Sequence, residues 1–152
     1  MRGRHSMLVA IMLGGAIAGI VDIFAASAIN GFIDPLRICR VIAAGVLGLK
    51  EARAGGMQTA ALGLVLQVAM GIIIAAIYNI AANILPIMRR RWLLSGFLFG
   101  FPVFAVMTYV VVPLSAVGGG MPPFTVKQAM NLVAMFLFGI IIAWFARAKR
   151  TA

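Results

Sequence analysis

Four long stretches of the chain carry apolar side chains at almost every position, with short polar or Gly- and Pro-rich segments between them. They cover residues 7–30, interrupted by Asp22, then 57–85, 92–112 and 127–145. About 20 helical residues cross the roughly 30 Å hydrocarbon core of a bilayer, so each stretch is long enough to span it. No stretch alternates apolar and polar residues as a barrel strand does. The pattern predicts an all-α polytopic membrane protein, residues 1–152, with four transmembrane helices in a single membrane domain.

A fifth apolar piece, residues 35–49, is too short to cross. Ile38, Val41, Ile42, Gly45, Val46 and Leu49 fall on one helical stripe, and Arg37 and Arg40 lie off it. This is the signature of a short amphipathic helix that rests in the interface or re-enters the membrane after the first span. Asp34 is positioned as its N-cap and Pro35 as its first residue. Arg37 and Arg40 are expected to meet lipid headgroups. The only connection between the second and third spans is a few residues around Pro86 to Arg91, so these spans are expected to form an antiparallel hairpin. The segment from Pro113 to Thr125 contains Gly118-Gly119-Gly120 and Pro122-Pro123 and cannot be helical throughout. Pro102 should kink the third helix.

Composition agrees with this reading. The chain is 64% hydrophobic and 11% charged, against roughly 45–50% and 25% in soluble domains; its mean hydropathy is +1.12. A net charge of +10 would ordinarily suggest nucleic acid. Here the cations flank spans and none is interleaved with stacking aromatics, so they act on topology and anionic headgroups, and no nucleic-acid partner is expected. Arg2, Arg4, Arg89, Arg90, Arg91, Arg147, Lys149 and Arg150 stand on one side, and Arg37, Arg40, Lys50, Arg53 and Lys127 on the other. The positive-inside rule then places both termini in the cytoplasm. Trp92 and Trp144 fall at the cytoplasmic ends of their spans, where an aromatic belt would put them. The basic start, the apolar run to Val21 and Ala26-Ser27-Ala28 also resemble a cleavable signal peptide. Hydrophobicity resumes through Ile33, however, and Asp22 lies late in the run, so a retained span is the stronger reading.

Candidate chemistry is sparse. His5 is expected outside the spans, and Cys39, the only cysteine, has no disulfide partner. No His, Cys, Asp or Glu pair has metal-ligand spacing, and neither a phosphate-binding loop nor a Ser-His-Asp set is present. The ten Met are packing residues before they are haem ligands. Neither an enzyme nor a metal or cofactor is expected. Asp22 is the only acid inside a span, where a carboxyl must be protonated, paired or in contact with water. Its expected partners are polar residues of the second span, or Arg37 or Arg40 reaching in from outside. Gln67 and Tyr78 share a face of the second span, Gly63 and Gly71 flank Gln67, and Asn79 and Asn83 form another polar edge. Such side chains hold helices together more often than they bind ligands. Gly15-x-x-x-Gly19 and Gly96-x-x-x-Gly100 are close-packing faces.

Gly19-x-x-Asp22-Ile23 and Asp34-Pro35-x-Arg37, leading into Ala43-Ala44-Gly45-x-Leu47-Gly48, resemble the YagU-like bacterial inner-membrane proteins. Leu62-Gly63-Leu64, Gln67, Tyr78, Leu85-Pro86, Val110-Val111-Val112-Pro113-Leu114 and Pro122-Pro123 extend the resemblance over nearly the whole chain. It implies four spans with a short helix after the first, and brings no reaction or ligand. Relatives often carry His at the position of Gln67, so a protonating or metal-binding role there is not carried over. The expected function is contact between membrane helices, by self-association or as an accessory subunit with other membrane subunits. The alternative is a small oligomeric transporter or channel with a polar path around Asp22 and Gln67.

Overall fold

The computed structural model describes residues 2–147, with side chains from residue 5 onward. Helix α1 (Arg2–Ile29) is followed by a short pair, α2 (Pro35–Leu47) and α3 (Leu49–Ala54), and then by α4 (Met57–Ile84). A single turn, α5 (Ile87–Arg90), leads into α6 (Trp92–Val106), which continues through a π-helical segment, Met107–Val111, and α7 (Val112–Leu114); α8 (Val126–Arg147) is the last helix. No strand occurs among the described residues. The protein is a helical membrane protein: four helical segments, His5–Ile29, Met57–Ile84, Trp92–Leu114 and Val126–Arg147, are long and apolar enough to cross a bilayer. His5, expected outside the spans, is taken up in the first turns of α1 and is exposed. Lys149 and Arg150 of the charge asymmetry lie outside the described residues, as do the side chains of Arg2 and Arg4.

Packing follows small residues rather than chain order. Helix α4 runs along α1, α1 along α8, and α8 along α6. In lipid, burying a large apolar side chain gains little, and helices associate where small residues let backbones approach. A Cβ placed on Gly15 would lie 2.5 Å from Ile72 Cα and 2.6 Å from the Gly71 carbonyl. One on Gly96 would lie 2.8 Å from the Gly139 carbonyl, and one on Gly100 2.7 Å from Phe136 Cα. The first glycine pair therefore joins α1 to α4, and the second joins α6 to α8. The second and third spans, expected as an antiparallel hairpin, are joined by the single turn of α5, but neither glycine contact lies between them. Helices α4 and α6 are consecutive, but they meet more lightly, with Tyr78 edge-on to Phe99 at 5.0 Å. Between them lies an apolar hollow of about 190 Å³ lined by Ile74, Ile77, Phe99, Pro102, Val103, Val106 and Met107.

Three further boundaries differ from the sequence reading. The single helix expected over 35–49 breaks at Gly48, whose φ of +87° disfavours any side chain, and α3 turns back from it. The third span runs to Leu114 rather than 112. Helix α6 continues past Pro102, and the irregular hydrogen bonding falls later, where Val112 N–H donates to the Met107 carbonyl across a π turn. Pro113 follows immediately and has no N–H to close an ordinary turn on the Tyr109 carbonyl. The ends are tied by polar contacts. Lys127 Nζ donates to Asn30 Oδ1 at 3.4 Å, Ala116 N–H donates to the Gly45 carbonyl at 2.8 Å, and the Arg147 guanidinium lies 4.4 Å from the Trp92 ring centre.

Gly71→Val would drive a branched side chain into the Gly15 backbone, whereas a Cβ on Gly45 would meet only Ser115 Cβ at 3.8 Å. Detergent-solubilised Gly71→Val is expected to lose about 1–3 kcal/mol of stability in SDS-induced unfolding, and Gly45→Ala much less. Equal losses would contradict glycine-directed packing.

Candidate functional site

Helix α4 presents one buried stripe, Ala60, Gly63, Gly71, Ala75, Tyr78 and Ala82, with Gln67 half-buried on the same line. Gln67 and Tyr78 thus share a face, but they do not share a site. Eleven residues separate them, about 16 Å along the axis, and Gly15 and Gly71 meet backbone to backbone in between.

The Gln67 side chain points at α1. Its Nε2 donates to Asp22 Oδ2 at 2.8 Å and lies 3.4 Å from the Gly19 carbonyl. Gly19 permits this reach, since a Cβ there would sit 3.1 Å from the Gln67 carbonyl oxygen. The only acid of the spans is therefore held by an amide of the same chain. Arg37 and Arg40 do not reach it, which corrects the alternative pairing. An interhelical bond of this kind stabilises a membrane protein by about 0.6–2 kcal/mol.

The other polar candidates disperse. Tyr78 is fully buried with Ser95 beside it, yet its hydroxyl makes no hydrogen bond of good geometry. Asn79 Nδ2 donates back to the Ala75 carbonyl at 2.8 Å, leaving Oδ1 unpartnered. Asn83 does not continue that edge. It is exposed, accepts from Arg89 Nη2, and lies 3.5 Å from Met7 Sδ. Among the described residues, no group of three His, Cys, Asp or Glu is placed to hold a metal ion.

At one end of the bundle, α2 and α3 form a collar against α4. Asp34 Oδ1 accepts from Leu36 N–H at 2.9 Å and caps α2, with Pro35 in the first turn. The face of α2 turned to the protein is Ile38, Cys39, Ala43 and Ala44, while Val41, Val46 and Leu49 are exposed. The apolar stripe is thus divided, with Ile38 packed on the protein and Val41, Val46 and Leu49 left to the surroundings, and size governs the packed side. A Cβ on Gly63 would overlap the Cys39 carbonyl, so small residues sit at that contact, while Val41 and Val46 turn outward. Burial pushes the Cys39 thiol above its usual range, which keeps it protonated and inert. Arg37 and Arg40 line a pocket of about 550 Å³ together with Arg53, a residue whose sequence context points only to topology. Arg53 became a site candidate only once the turn at Gly48 brought α3 back beside α2.

Comparison of the chain with protein-family models, curated proteins and solved structures finds no match.

The pairing of Asp22 with Gln67 is measurable by a double-mutant cycle. Asp22→Leu, Gln67→Leu and the double variant, unfolded in the same detergent, should give a coupling of about 0.6–2 kcal/mol. Strict additivity would mean that the two side chains do not interact.

Proposed function

We propose that this protein is a bacterial inner-membrane protein with both termini in the cytoplasm, similar to the YagU-like group. It works through helix–helix contact, as a homo-oligomer or as an accessory subunit of a larger membrane assembly. It catalyses no reaction and binds no nucleic acid. The observation that carries the reading is the closure of the Asp22–Gln67 pair within one chain. The carboxyl has its donor, the same amide lies 3.4 Å from the Gly19 carbonyl, and the backbones of α1 and α4 meet at Gly15 and Gly71 beside it. The alternative is a small oligomeric transporter or channel with a solute path past Asp22 and Gln67; the close backbone contact of Gly15 with Gly71 beside the pair favours the contact reading.

The small-residue faces do not support association directly, because they are used inside the chain. The support comes from the third span. It is the least covered of the four, and Leu94, Leu98 and Phe101 form an exposed stripe along it. Spacing of four and three residues suits a neighbouring helix.

The test is particle mass together with the identity of anything co-purifying, after extraction of the native protein in mild detergent. A homo-oligomer or a defined complex is expected, and Leu98→Ser combined with Phe101→Ser should dissociate it without unfolding the chain. A lone monomer carrying no partner would overturn the proposal.

A further inference from the structure

The collar pocket goes beyond the contact function. Helix α2 contributes Arg37, Arg40, Val41 and Ala44, spaced to lie on one face, and α3 contributes Leu49, Ala52 and Arg53 in the same way. Gly48 joins the two helices in a left-handed conformation, which turns these faces toward one another. Ala44 and Ala52 keep the space open. The result is a cavity of about 550 Å³ lined by three arginines and by the apolar side chains of Val41, Ala44, Leu49 and Ala52.

Like charges so gathered repel, and no acid of the chain pairs directly with them. No ion pair occurs among the described residues, and the guanidinium groups of Arg37, Arg40 and Arg53 make no hydrogen bond or ring contact there. Arg40 Nε is buried and has no partner. Asp34 is engaged in capping α2. Glu51 stands two residues from Arg53 on α3 and does not share its face. At the other end, Arg89 Nη2 donates to Asn83, though its Nε, like that of Arg40, has no partner, and Arg147 lies over Trp92 and Trp144.

We infer that this pocket binds a phosphate-bearing anion, with Arg37, Arg40 and Arg53 as its ligands. Guanidinium is the side chain suited to bidentate phosphate recognition. The pocket lies at a membrane end of the bundle, beside the start of α4, and part of its lining is hydrocarbon. The phosphate can therefore come with acyl chains attached, as an anionic phospholipid headgroup, or as free phosphate. The chemistry at the arginines is the same.

The experiment uses the full chain in a non-ionic detergent. Native mass spectrometry compares dioleoyl phosphatidylglycerol with dioleoyl phosphatidylcholine, and a thermal-shift series adds inorganic phosphate. Phosphatidylglycerol should bind roughly tenfold more tightly than phosphatidylcholine, and Arg40→Gln and Arg53→Gln should each remove most of that preference. Arg53 is exposed, so its variant remains informative if Arg40→Gln does not fold. Lys50→Gln, in α3 but outside the pocket, should keep the preference. Preference for phosphatidylglycerol without competition by phosphate supports a lipid headgroup. Saturable stabilisation by phosphate, lost in Arg53→Gln and displacing the lipid, supports the free anion. Equal binding of the two lipids with no phosphate shift overturns the inference. So does a Lys50→Gln loss as large as that of Arg53→Gln, which would indicate diffuse charge rather than a pocket.

Discussion

The contact of α1 with α4 sets the conditions for the rest of the molecule. At Gly15 and Gly71 the two backbones approach until neither can carry a side chain, and one turn further along Gln67 reaches across to Asp22. These features depend on each other. Without the glycines the amide could not come within 2.8 Å of the carboxyl, and without the amide a carboxyl would face hydrocarbon, which is costly. The same α4 stripe receives α2 at Gly63 and, beyond Gly71, presents Tyr78 to Phe99. One line of residues on one helix therefore positions the first span, the collar and the edge of the third span.

The bilayer also explains which parts were legible in the sequence. Span number and approximate limits follow from hydrocarbon thickness, and four apolar runs gave four helices within a few residues. The inward-facing side of each helix was harder to read, because large apolar residues are as comfortable against lipid as against protein. Val41 and Val46 share an apolar stripe with Ile38, yet only Ile38 of the three packs on the protein, beside Cys39 and Ala43. Glycine positions were the better guide, though not to pairing. The sequence contains both glycine motifs and a short link between the second and third spans, and only the tertiary arrangement assigns Gly15 to α4 and Gly96 to α8. The π turn before Pro113 and the break at Gly48 are single-residue backbone effects, which periodicity does not register.

For the candidate site, the polar residues were identifiable by type but not by grouping. Asp22 and Gln67 belong together, Tyr78 and Asn79 sit elsewhere in the core, and Asn83 belongs to the end of the bundle with Arg89. Arg53 joins Arg37 and Arg40 only because α3 folds back. Two regions with different chemistry result. In the membrane interior Asp22 is held by Gln67, while Tyr78 Oη and Asn79 Oδ1 are buried without a hydrogen-bond partner, and the collar at one end gathers arginine side chains that no acid of the chain pairs.

The central claim is that the polar interior is closed rather than a path. Water accessibility measured along the buried stripe tests it most directly. Ala18 and Ala75, both fully buried, are each changed to Cys in full-length protein carrying Cys39→Ser, and reconstituted in liposomes. A small membrane-impermeant thiol reagent is then applied from either side, with Cys at the exposed position Val126 as the reactive control. The account predicts that Val126→Cys is labelled and that Ala18→Cys and Ala75→Cys are not. Ready labelling of both buried positions would contradict it and would restore the reading of a polar path past Asp22 and Gln67.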